Sequence, residues 1–78
     1  MGIKQKPVQV IRDGLIRAAI WANPTDNHGT RYSVTITRLY RHDDQWKDSS
    51  SFGRDELPTV RKVIDQAETW LYQQPRTD

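Results

Sequence analysis

Residues 38–52 read RLYRHDDQWKDSSSF. Three rings (Tyr40, Trp46, Phe52) stand among Arg38, Arg41 and Lys47, with His42, three aspartates and a run of serines. Leu39 is the only aliphatic residue in the stretch. Rings and cations interleaved in this way suit one kind of chemistry. Flat side chains stack on nucleobases, and cations beside them neutralise phosphates. Taken singly, Trp21, Tyr40 and Trp46 fit packing in a small sheet better than contact with a ligand; it is their combination with the cations that points to nucleic acid.

Enzyme chemistry finds less support. His28 and His42 each sit in a turn-forming cluster, and a metal site needs three or four converging ligands. Asp43 and Asp44 are adjacent turn acids, not a spaced acid–base pair. Ser49 to Ser51 lack a nucleophile elbow or an activating histidine. There is no glycine-rich phosphate loop. The expectation is a protein with no catalytic residues, no metal and no cofactor.

Composition bounds the rest. The chain has 78 residues, no cysteine and a formal net charge of +2. That is one small domain without disulfides. It has no apolar run of membrane-spanning length, and MGIKQKPVQ lacks the apolar segment of a signal peptide. These features lead us to expect a soluble, cytoplasmic or nucleoid-associated protein.

The elements that position the rings follow from periodicity. Residues 1–7 read as a loose arm, residues 8–74 as one domain and residues 75–78 as a tail. Val8 and Val10 alternate with polar neighbours, and Asp13-Gly14 marks a turn. LIRAAIWA places Ile16, Ala18, Ile20 and Ala22 on one face, and Leu15, Arg17, Ala19 and Trp21 on the other. NPTDNHGT is a dense turn cluster. RYSVTITRLYR is the strongest strand, rich in β-branched and aromatic residues. HDDQ turns the chain into a weaker strand, WKDSSSF.

The period then changes. Leu57, Val60, Ile64, Ala67 and Leu71 form a helical stripe, widened by Val63 and Trp70. Asp55 reads as the N-cap, Pro58 fits the first turn, and Pro75 ends the pattern. One helix is expected over roughly 56–73. The fold class is thus α+β: a four-stranded antiparallel sheet with one long C-terminal helix packed on it. One helix covers only part of such a sheet. The surplus stripe, Val63 and Trp70, is expected to meet a second copy in a homodimer.

Charge follows the elements. Between Arg12 and Lys47 the acids (Asp13, Asp26, Asp43, Asp44) all fall in predicted turns. The strands therefore read as carrying cations and no anions, a footprint for polyanions. Arg38 and Tyr40 share the alternation face of Val34 and Ile36, although an arginine does not belong in a core. Either a bulge flips the register or the strand runs out beyond the helix.

The strand order and these motifs resemble the single-stranded-DNA-binding domain of the transcriptional coactivator positive cofactor four. The resemblance spans roughly residues 8–72. It is carried by VQVI, TRLYR, the acidic turn HDDQW, DSSSFG and the acidic opening of the helix. The Whirly and Pur-alpha proteins share a related strand–helix logic. The chain departs from the pattern in its longer NPTDNHGT turn and its few lysines. The resemblance implies a homodimer, joined through helices, that takes up unpaired strands in the channels of its sheets. Its expected role is transcription-regulatory or genome-maintenance, without base-sequence preference. Tyr40 and Trp46 are the expected stacking rings; Arg38, Arg41 and Lys47 are the expected phosphate contacts. Arg17 and Trp21 are second candidates for the same surface. Two other readings stand beside this one: a dimerising protein-interaction module, and a reader of duplex DNA that lays its sheet in the major groove.

Overall fold

The computed structural model describes residues 5–26 and 29–75. His28 and most of the expected N-terminal arm lie outside the described residues. Four strands form one sheet: β1 (Gln9–Asp13), β2 (Ile16–Pro24), β3 (Thr30–His42) and β4 (Gln45–Ser49). A 3-10 turn (Arg54–Glu56) leads into helix α1 (Leu57–Tyr72). The sheet order is β1-β2-β3-β4, and every pairing is antiparallel. The fold expected from periodicity is the fold observed. Among the described residues, no helix is long and apolar enough to cross a membrane.

Turn chemistry sets the register. Asp13 pairs with Ile16, so Gly14 and Leu15 form a two-residue turn. Gly14 takes φ +61°, the sign that the first position of a type II′ turn demands and that glycine adopts without strain. His42 pairs with Gln45 across Asp43 and Asp44, which have φ of 52° and 61°. Both are left-handed, as a type I′ turn requires, and short polar side chains tolerate that region better than most. The longer β2–β3 loop is tied by Thr25, whose N–H donates to the Gly29 carbonyl at 3.0 Å.

The core is narrow and centred on β2. Ile16, Ala18 and Ile20 meet Val60, Val63 and Ala67 of the helix. Ala18 and Ala67 are small enough to let the backbones approach. Ile11, Tyr32, Ile36, Phe52, Trp70 and Leu71 pack around this centre. Tyr32 and Trp70 meet edge to face, with ring centroids 6.1 Å apart. Asp13, at the end of β1, pairs with Lys62 at 3.1 Å.

The helix lies over β1, β2 and part of β3 and does not touch β4. That offset corrects one expectation. Val63 is fully buried in the single chain, so it has no surface left for a second copy. Trp70 also faces the sheet and is half-buried. The residues left outward are Leu57 and Ile64, the latter 47% exposed. A helix docks along the middle of a wide stripe, and here that middle runs through Val60, Val63 and Ala67. The N-cap differs too. The 3-10 turn starts after Gly53, whose N–H donates to Glu56 Oε1 at 2.6 Å; Asp55 lies inside the turn.

Candidate nucleic-acid interface

Antiparallel partners share a face, so the register sorts every strand residue. The helix covers the face of Ile16, Ala18, Ile20, Val34 and Ile36. The opposite face has no layer over it among the described residues. It carries Arg12 on β1, Arg17 and Trp21 on β2, Arg31 and Arg41 on β3, and Trp46 on β4. Ser33, Thr35 and Thr37 form a row of hydroxyls along β3 on this same face.

The sheet aligns these groups into two similar ends and a middle. Trp21 pairs with Ser33, and Arg31 is two residues further along β3. At the other end Trp46 pairs with Arg41, whose guanidinium lies 5.8 Å from the indole centroid. Between the ends, Arg12 and Arg17 stand directly opposite each other. Like charges in that relation destabilise a sheet unless an anion lies between them. Trp21 and Trp46 are eight positions apart along β3 and two strands apart across it. At about 3.3 Å per residue and about 4.8 Å per strand, that is a separation of about 28 Å.

Local bonds hold some of these side chains and leave others free to move. The Trp21 indole N–H donates to Thr35 Oγ1 at 3.0 Å, which fixes that ring against the sheet. Trp46 is 58% exposed and lies beside the Arg41 guanidinium. Arg17 reaches over β3 to Asp48 at 3.6 Å, and its Nε–H has no acceptor among the described residues. Arg41 pairs loosely with Asp44 at 3.8 Å. Arg12 and Arg31 form no ion pair among the described residues; Arg12 makes a long contact to the Gly14 carbonyl at 3.4 Å. Asp48 and Asp13 correct the expectation of strands without anions. Both lie within strands, and both are matched by a cation.

The seven residues expected at one surface therefore divide. Arg17, Trp21, Arg41 and Trp46 gather on the uncovered face. Arg38, Tyr40 and Lys47 point to the helix side. The register is continuous through Arg38, so no bulge flips it; the strand runs out beyond the helix. Arg38 is engaged there. Its Nε–H donates to the Ser51 carbonyl at 3.1 Å, it pairs with Glu56 at 3.3 Å, and it lies 5.6 Å from the Tyr40 ring centroid. It thus clamps the link between β4 and the helix. Arg12 and Arg31 were missed by the sequence reading. Their parity with Trp21 along β1, β2 and β3 was the available signal.

This division predicts a separation of effects. Arg38→Met keeps the aliphatic stem and loses both polar partners. We expect a loss of about 1–2 kcal/mol of stability. For a domain this size that is a melting temperature lower by about 5–15 °C. Oligonucleotide affinity per folded molecule should not change, which a titration at a temperature below the transition would check.

Compared with protein-family models, curated proteins and solved structures, the chain gives no match.

Proposed function

We propose that the chain binds single-stranded nucleic acid, with no base-sequence preference, on the uncovered face of its sheet. One observation carries this reading. Four arginines and two tryptophans converge on a face that the helix leaves bare, against one aspartate from the strands. Exposed rings can take the π-faces that single strands present, and the arginines can take the phosphates. A duplex fits less well. Three strand spacings of about 4.8 Å put the outer strand axes about 14 Å apart. The major groove is about 12 Å wide and suits a helix or a two-stranded ribbon. The resemblance to the positive cofactor four domain agrees with this reading, and a role in transcription or genome maintenance is part of the proposal.

The test is a titration followed by tryptophan fluorescence. Thymine homopolymers should quench it and duplex DNA of the same length should not. The two tryptophan ends are about 28 Å apart, and a stacked strand rises about 3.4 Å per nucleotide. Affinity should therefore climb with length up to about eight nucleotides and then level off. Among the described residues Arg12 and Arg31 have no acidic partner to displace, whereas Arg17 and Arg41 do. Neutralising two to four phosphates gives a log–log salt slope between about −1.4 and −2.8. No quenching by any single strand at low salt would reject the reading.

A further inference from the structure

The thirteen-residue β3 is longer than its outer neighbour. β4 pairs with it only from Arg38 to His42. Among the described residues, 31–37 therefore have a strand on one side, β2, and none on the other. The Leu39 N–H donates to the Leu15 carbonyl of the β2 side at 2.8 Å. Ladder bonds alternate along a strand, so the N–H and C=O groups of Tyr32, Val34 and Ile36 point to the open side. Natural sheets blunt such an edge with proline, lysine or a bulge. Here RYSVTIT has no proline and no lysine, and its pairing with β2 runs without a bulge. The edge is β-branched and extended, and its one charge, Arg31, stands at its end. Beside it runs a groove lined mainly by Val34, Ile36, Ile64, Leu71 and Tyr72, with Glu68 also in its wall.

We infer that this edge pairs antiparallel with the same edge of a second copy, with Val34 on the two-fold axis. The segment complements itself. It reads polar, apolar, polar, apolar, polar, apolar, polar, and is symmetric about Val34. Pairing about that residue sets Val34 on Val34 of the second copy and Tyr32 on its Ile36. It sets Ser33 on Thr35, and Arg31 on Thr37. Apolar meets apolar, hydroxyl meets hydroxyl, and no like charges face each other. A shift of one residue would put the apolar set of one copy on the polar face of the other. The same side chain would serve both copies, as a two-fold interface requires. The grooves flanking the axis would close over Ile64 and Leu71. The two uncovered faces would join into one eight-stranded surface, with the hydroxyl row continuing across the join. The inference does not rest on nucleic-acid binding, because its readout is the association state.

The test uses the full chain. Equilibrium sedimentation up to about 100 μM, well above the affinities of specific dimers, should give twice the chain mass. Val34→Lys would set two ammonium groups against each other on the axis. Val34 is 37% exposed in the single chain, so this variant should fold and sediment at the single-chain mass. Ile64→Lys, outside the strand, should also weaken the assembly. Amide exchange gives a reading that needs no variant. Exchange at Tyr32, Val34 and Ile36 should slow on the order of tenfold when about nine chains in ten are paired. A monomer throughout, or a dimer that Val34→Lys leaves intact, overturns the inference. So does a dimer in which those three amides exchange at their monomer rate, whatever single strands do.

Discussion

Val63→Lys is expected to abolish the folded state, whereas Ile64→Lys, one position along, is expected to preserve it. Val63 is fully buried against β2, and Ile64 is 47% exposed. A lysine forced into an apolar interior shifts its pKa by about three to five units. At about 1.4 kcal/mol per unit, neutralising it costs about 4–7 kcal/mol. A chain of 78 residues has about 4–12 kcal/mol of stability in all. The small core is six buried residues of β2 and the helix, and among the described residues no polar or charged side chain is buried beside them to receive the ammonium. Far-UV circular dichroism with a thermal scan separates the two variants. Val63→Lys should show no cooperative transition at any protein concentration. If it melts normally and only changes its association state, the helix has been assigned the wrong inner face.

Trp46→Ala should weaken single-strand binding by about 1–3 kcal/mol, about 5- to 150-fold, with little change in melting temperature. Its ring is mostly solvated and makes one cation–π contact, so the folded chain loses little without it. Trp70→Ala should do the reverse. It removes the edge-to-face contact with Tyr32 and part of the helix–sheet packing. Truncating a packed aromatic costs up to about 3–5 kcal/mol, and Trp70, only half-buried, falls at or below the low end. Affinity of the protein that remains folded should be unchanged. Measuring melting temperature and affinity on both variants gives four numbers. The proposed interface is wrong if Trp46→Ala lowers stability and leaves affinity alone.

Much of this architecture was legible in the residues. Two-residue periodicity and the turn formers Asp13-Gly14 and His42-Asp43-Asp44 marked the two tight hairpins, and NPTDNHGT the longer one. The change of period at Leu57 marked the helix, with Pro58 in its first turn. What stayed hidden was lateral placement. Seven apolar residues, from Leu57 to Leu71, make a stripe wider than one sheet contact needs. Periodicity cannot say which edge of such a stripe turns inward. That depends on how far the helix slides across the sheet, and it slid toward β1. Arg38 shows a second limit. Alternation correctly put it on the helix side, but its partner Glu56 lies beyond the next strand and a turn. The arginine therefore looked like a surface cation. Arg12 and Arg31 were readable by parity, but RLYRHDDQWKDSSSF drew the reading to one hairpin, whereas the arginine-rich face runs the length of the sheet.

The strand order β1-β2-β3-β4 also bears on how the chain is made. Each strand's neighbour is the next in sequence, so every hairpin closes a short loop at small entropic cost. All four strands have been made once Ser49 is added. The helix comes last, and its ion pair from Lys62 to Asp13 joins residues further apart in sequence than any other ion pair among the described residues. During synthesis at about 5–20 residues per second, the 23 residues from Ser49 to Tyr72 take about 1–5 s. For that interval Ile16, Ala18 and Ile20 lack the helix residues Val60, Val63 and Ala67 that bury them. A nascent chain stalled between β4 and the helix would hold these three side chains without that cover, and that is the length at which chaperone capture should peak.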